Sequence, residues 1–225
     1  MSRRRAMLGL VLAPGTTPPA TCDLCPRLVA FHGRNRRAQP DWHNAPVPSF
    51  GTMDAELLIV GLAPGLKGAN RTGRPFTGDF AGDLLYRTLA DFGFAAGTYG
   101  AEADDGFTLK NARVTNAVRC VPPENKPTPD EISACRPFLV AEMAGMPRLK
   151  AVLALGAIAH DSVLTAEGMR KSAARFAHGA RHALPSGRVL LDSYHCSRYN
   201  TNTGRLTMAM FTAVVGAARD FLQKR

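Results

Sequence analysis

No run of eighteen apolar residues occurs in this 225-residue chain, which excludes a membrane-spanning helix. Internal repeats and low-complexity segments are absent too, so a repeat array is excluded. Carboxylates are scarce: 18 Asp and Glu stand against 28 Lys and Arg, a net charge of +10 that suits a polyanionic partner. The five cysteines do not come with the composition of a small secreted protein. That argues against a disulfide framework and for a reducing compartment with metal or cluster ligation. No glycine-rich stretch ends in Gly-Lys-Ser/Thr, which counts against nucleoside triphosphate hydrolysis.

What remains is an ordinary globular composition, 45% hydrophobic, long enough for one domain spanning residues 1–225. The expectation is a soluble, cytoplasmic, monomeric protein with no membrane partner. Arginines dominate the basic excess in small groups: Arg3 to Arg5, Arg34 with Arg36 and Arg37, Arg71 with Arg74. That grouping favours nucleic acid over a membrane surface. Arg3 to Arg5, followed by Ala6 to Leu12, loosely mimics an export signal, but the apolar stretch is short and Pro14 breaks it. Residues 1–20 are therefore read as an N-terminal arm.

Short, continuously apolar runs ending near glycine are the mark of buried parallel strands. Glu56 to Gly61 and Ala151 to Gly156 fit, and Ala112 to Val118 and Val189 to Tyr194 are read as two further strands, giving four. Helices are expected from Asp79 to about Gly93, from Thr128 to about Ala144, over Ile158 to Thr165 and from about Gly204 to Leu222. Thr128-Pro129-Asp130-Glu131 is a capping box with proline at the first helical position. Residues 26–48 read as irregular surface structure and 173–187 as irregular or edge structure. The alternation predicts a three-layer α/β/α sandwich with a central, mainly parallel four-stranded sheet. Ligands of such sheets bind beyond the carboxyl ends of the strands, where Gly61 to Gly65, Asn116 and His195 fall.

Four segments carry a more specific signal: Gly61-Leu62-Ala63-Pro64-Gly65, the run Gly68 to Asp79, Thr115 to Cys120, and His195 to Thr201. Together and in this order the chain resembles the family 5, or B-type, uracil-DNA glycosylases, over roughly residues 20 to 210. The resemblance implies a monofunctional glycosylase that hydrolyses the bond between DNA and uracil, with hypoxanthine and xanthine as further substrates. DNA containing a deaminated base is then the partner. Ala63 stands where other branches of the superfamily place an aspartate, a departure itself typical of family 5, and it leaves the water's partner open. By resemblance Asp79 is the candidate; its structural alternative is a helix N-cap.

The departing base leaves with negative charge on its carbonyl oxygens, and a preorganised donor there contributes about 2.7–4 kcal/mol. His195 is the candidate donor. Asn116 offers the amide pair that reads one edge of a flipped base, against the plainer role of a strand-end turn residue. Phe76 is placed to stack on the base, worth roughly 1–3 kcal/mol, or else to pack in the core. Gly61, Leu62 and Ala63 complete the expected base pocket. Arg71, Lys126, Ser197 and Arg198 are candidate DNA contacts, with a merely solvated role as the alternative for the basic ones. No lysine is positioned by motif as an amine nucleophile.

Cys22 and Cys25 form C-x2-C, and Cys120 and Cys135 stand fifteen apart. Four thiolates suit zinc or a 4Fe–4S cluster equally by chemistry; the family resemblance implies the cluster. Cys196 is left over as an expected free thiol. The competing reading is a non-catalytic, metal-stabilised nucleic-acid-binding module of the same fold, for which Ala63 speaks. An iron–sulfur electron carrier would leave the other motifs without purpose.

Overall fold

A computed structural model describes residues 17–224. Residues 1–16, with Arg3 to Arg5 and most of the expected arm, lie outside the described residues. In chain order the strands are β1 (Leu57–Gly61), β2 (Ala95–Ala96), β3 (Thr108–Leu109), β4 (Ala112–Asn116), β5 (Ala151–Leu155), β6 (Arg181–Ala183) and β7 (Val189–Ser193). The helices are α1 (Pro26–Ala38), α2 (Ala69–Thr72), α3 (Phe80–Asp91), α4 (Pro129–Gly145), α5 (Ala157–Ala166), α6 (Arg198–Asn202) and α7 (Met208–Gln223).

The central sheet runs β4-β1-β5-β7-β6. Its first four members are the expected strands, mutually parallel and buried along their whole length. The sheet has five strands rather than four: β6 pairs antiparallel with β7 inside the segment expected to be irregular or edge structure. Three residues are too short for a readable alternation, and two of them are exposed.

Because successive strand residues face opposite ways, the sheet sorts its side chains into two cores. Leu57, Ile59, Val114, Leu153 and Leu191 pack with α3 and α7 through Leu85, Leu89, Phe211 and Val215. Leu58, Val60, Val152 and Leu190 pack with α4 and α5 through Leu139, Met143 and Val163. Helices thus cover both faces, and the three-layer sandwich follows. The capping box forms as expected, Thr128 accepting from the Glu131 amide at 3.3 Å while the Glu131 carboxylate accepts from the Thr128 amide at 2.8 Å.

Two further boundaries differ. Residues 26–38 form a 13-residue helix, α1, where irregular structure was expected. Only Leu28 and His32 of this helix are buried, so its apolar stripe is two residues long and barely periodic. It is held from outside, by the Arg27–Glu131 ion pair at 2.7 Å and by Leu28 packing against Val118 and Phe138. The last helix starts at Met208, not Gly204, because Gly204 takes a left-handed φ of 70° and Thr207 caps the Met210 amide.

Candidate active site and cysteine cavity

The carboxyl ends of β1, β4 and β7 open into one cleft of about 510 Å³. Leu62, Ala63, Pro64 and Gly65 line it from β1, Asn116 from β4, and His195, Ser197 and Arg198 from beyond β7, together with Phe76 and Asp79. Residues 130 positions apart in sequence therefore meet, as the strand-end argument requires. β5 lies between β1 and β7 in the sheet, and it is followed by Gly156, which faces the Cβ of His195 and contributes no side chain to the gap.

Asn116 is 3% exposed, and its Oδ1 has no hydrogen-bond partner. A buried amide oxygen left in this state costs about 1–3 kcal/mol, so it has the capacity to accept from a further donor. Gly61 makes the arrangement possible. A Cβ there would stand 2.4 Å from the Asn116 Oδ1 and 2.5 Å from the Phe76 ring, so any side chain would push both away.

Phe76 has a ring that belongs to the core and also lines the cleft. It stacks on the His195 ring, centroids 5.9 Å apart and planes 25° from parallel. Its φ is +57°, a conformation that costs a non-glycine residue of order 1–3 kcal/mol and persists only when the surroundings enforce it. They do: Tyr86 donates to the Pro75 carbonyl at 2.5 Å and Tyr99 to the Phe76 carbonyl at 3.2 Å. Arg74, boxed by Phe50, Tyr86, Tyr99 and Phe107, forms a two-pronged ion pair with Asp105 at 2.7 and 2.8 Å. Arg74 thus belongs to the pocket's frame and not to a basic surface.

Asp79 precedes α3 but makes no capping bond with its side chain. Its carboxylate lines the cleft, close to the backbone amides of Gly65 and Ala69. Burial pushes its pKa above the ordinary carboxylate value, while those amides and Arg71 pull the other way. A Cβ on Gly65 or Gly68 would meet this carboxylate at 2.4 and 2.0 Å. The alternative reading of Asp79 as a helix cap is not seen; its carboxylate lies against glycine backbone instead. Ala63 beside it is half-buried and packs toward the cysteines.

His195 is neutral over the physiological range, since burial depresses its pKa to about 4. A neutral ring keeps one N–H to donate and one lone pair. Its carbonyl accepts from Asn200 Nδ2 at 2.8 Å, and Ser197 caps α6 directly behind it. Arg198 lies over the ring of Phe80 at 5.3 Å, and both line the cleft. Phe80 and Asn125 are cleft residues that sequence reasoning missed; Phe80 stood as the plain start of a helix. Arg71 and Lys126 are not among the residues lining the cleft: Arg71 pairs with Glu102 at 2.9 Å, and Lys126 points into solvent near Glu124.

On the other side of Ala63 and Val118, Cys22, Cys25, Cys120 and Cys135 line a second, much smaller cavity of about 20 Å³. Burial and the neighbouring thiols push Cys25 up to about 11 and raise Cys120 and Cys135 as well. Protons are held tightly there, so thiolates need a metal to replace them. His32 and Arg119 also line this cavity, and the His32 Nε2 and Arg119 Nε are buried without partners. The Arg119 amide points at the Cys135 sulfur at 3.3 Å. Four sulfurs surrounded by unpartnered donors fit an electron-rich metal–sulfur group. Cys196, by contrast, is fully buried, raised to about 12 by burial, and bonded to the Ala81 carbonyl.

The fold and site define an open α/β sheet whose strand ends carry a cleft lined by an aromatic ring and a neutral histidine. The model of the uracil DNA glycosylase superfamily matches residues 48–219. The chain is 48% identical over 204 residues to the type-5 uracil-DNA glycosylase of Thermus thermophilus, covering 88% of this chain and 92% of that protein. It is 43% identical over 211 residues to the type-5 enzyme of Mycobacterium leprae, covering 89% and 91%. A type-4 uracil-DNA glycosylase of Pyrobaculum aerophilum matches at 33% over 150 residues, 66% of this chain and 62% of that protein. This chain belongs to the uracil-DNA glycosylase superfamily. No helix among the described residues is long and apolar enough to cross a membrane.

Proposed function

We propose that this protein, acting as a single domain and a monomer in the cytoplasm, hydrolyses the N-glycosidic bond of uracil in DNA and so opens base excision repair. The observation that carries the reading is the unpartnered Asn116 Oδ1, buried at the back of a cleft beside Phe76 and His195. Uracil presents a ring N–H next to a carbonyl, the pair that one amide satisfies. Hypoxanthine and xanthine present the same pair, and Ala63 leaves room beside it; both belong to the proposed substrate range.

The chemistry divides among named residues. The nucleotide is flipped out of the duplex at a cost of a few kcal/mol, with Ser197 and Arg198 at the cleft mouth holding the strand. Phe76 takes the base on its face. Neutral His195 donates to the carbonyl oxygen on which negative charge develops, and Asp79, ionised, orients the water on the sugar side. No lysine lines the cleft, which supports hydrolysis to a free base and an abasic site without strand cleavage.

In the same proposal Cys22, Cys25, Cys120 and Cys135 hold a 4Fe–4S cluster. A single tetrahedral zinc draws its sulfurs to about 3.8 Å of one another. Among the described residues the only three metal-ligand atoms all within 4.8 Å of one another lie elsewhere, so the wider thiol spacing supports the larger group. Bound, the cluster would tie α1 to the chain leaving β4, where Cys120 lies four residues past Asn116. A brown preparation containing iron and sulfide is expected; colourless, zinc-containing protein counts against it.

Incubation with labelled oligonucleotides carrying uracil, hypoxanthine or xanthine, single- and double-stranded, followed by alkali, tests the activity. Alkali-dependent cleavage at uracil is expected. No product from any of them would sink the enzyme reading and favour the non-catalytic binding module, for which Ala63 is the supporting observation.

A further inference from the structure

Away from both cavities, His160 on α5, His182 on β6 and Asp192 on β7 converge beneath the far face of the sheet. His160 Nδ1 lies 2.8 Å from Asp192 Oδ1, and His182 Nε2 lies 3.0 Å from Oδ2 of the same carboxylate. The other nitrogen of His160 faces the Ala174 carbonyl at 3.0 Å. A carbonyl can only accept, so the His160 proton sits on Nε2, and the Nδ1 of a neutral ring is then a bare lone pair. That lone pair confronts a carboxylate oxygen, itself an acceptor, at 2.8 Å. The contact needs a positive centre there, either a second proton donated from Nδ1 to Asp192 or a metal ion held by both.

We propose that this centre is a divalent transition metal of the zinc class, bound by His160 Nδ1, His182 Nε2 and the Asp192 carboxylate. Three observations favour it over a lone second proton on His160. All three donor atoms lie within 4.8 Å of one another, and a bidentate Asp192 completes the four ligands that a closed zinc site takes. The Ala174 carbonyl stands where an outer partner fixes the tautomer of a metal-bound histidine. Asp192 is fully buried and His160 1% exposed, and a single divalent ion compensates the carboxylate while using both imidazoles.

The site would act as a clip. β6 is a three-residue edge strand, and the segment before it reaches the active site through His178, whose Nδ1 accepts from the Tyr194 amide at 3.2 Å and whose ring stacks on Tyr194. Tyr194 immediately precedes His195. Joining α5, β6 and β7 at one ion anchors the segment that steadies the chain entering the cleft.

The test uses the iron-loaded protein, dialysed against a chelator and then titrated with zinc or cobalt. One zinc per chain is expected with iron content unchanged, together with a rise in melting temperature. Cobalt should give visible bands of nitrogen and oxygen ligation without a near-ultraviolet sulfur-to-cobalt band. His182→Gln, at a partly exposed edge, should abolish uptake and the thermal shift while retaining iron. The proposal is overturned by absence of zinc uptake in the unaltered protein, by equal uptake in H182Q, or by a thiolate-type cobalt spectrum. None of these readouts depends on base release.

Discussion

The cleft and the cysteine cavity lie back to back across Ala63 and Val118, yet they are built on opposite terms. The cleft is wide, about 510 Å³, and keeps polar capacity unspent: a bare Asn116 oxygen, a neutral His195, a carboxylate of raised pKa. The cysteine cavity is about 20 Å³, walled by Leu28, Val118 and Phe138, and its unspent donors, His32 and Arg119, are sealed from solvent. One is a place for a visitor and the other for a resident. Unsatisfied groups in the first should cost activity when altered, and those in the second should cost the fold.

The largest effect is therefore expected at the resident site. Cys135→Ser puts a poor ligand into a buried position on α4, and loss of a structural metal group is among the few single changes worth more than about 4 kcal/mol. Iron content and melting temperature should fall together, base release following only in proportion to folded protein. Retained iron with lost activity would reverse the roles assigned to the two regions.

At the cleft the contrast should be sharp in the other direction. His195→Ala removes the donor facing the departing base and should lower single-turnover base release by about 10²–10³-fold, with DNA affinity and melting temperature nearly unchanged. Unchanged turnover would refute the role.

Asp79 tests how burial is used. Its pKa is raised by burial, and under the proposal the ionised form orients water, so base release should decline on acidification at a pH above the ordinary carboxylate value. His195 stays neutral until about pH 4 and cannot account for that limb. Stability responds with opposite signs. A carboxyl whose folded pKa is raised gains stability as pH falls through it; a histidine whose folded pKa is depressed to about 4 loses stability as pH falls below its ordinary value. Asp79→Asn should slow release by about 10²-fold and flatten the acid limb. If melting temperature drops and release per folded molecule does not, the residue serves the helix start instead.

The two regions also differ in how legible they were. The cleft could be assembled from sequence because parallel strands deliver their ends to one edge, and Gly61, Asn116 and His195 each sit at such an end. What stayed open there were side-chain directions: Asp79 reads as the water's candidate partner with a helix cap as the alternative, because sequence cannot tell which way a carboxylate at a helix start turns. Arg74 looked like a surface cation because its partner Asp105 and two rings of its aromatic box, Tyr99 and Phe107, come from a segment 25 to 33 residues away. The cysteine cavity gave up its four sulfurs but not α1, whose two buried residues carry no periodic signal. β6 was missed for the same reason, its pairing decided by β7 and the His182–Asp192 contact and not by its own residues.

The smallest effect belongs to the cleft's rim, and it bears on whether the rim binds by charge. Arg198 is exposed on α6, its guanidinium over Phe80 and without an acidic partner among the described residues. Arg71 is also basic and near the glycine-rich loop, but Glu102 already neutralises it. Each phosphate contact releases counterions and contributes about 0.9 to the slope of log affinity against log salt. Arg198→Ala should thus weaken DNA binding a few-fold, flatten the salt slope by about 1, and leave the rate of release from bound DNA unaltered. Arg71→Ala should do neither. Equal losses in the two variants would mean that charge around the cleft acts as a diffuse field rather than through a contact at its mouth.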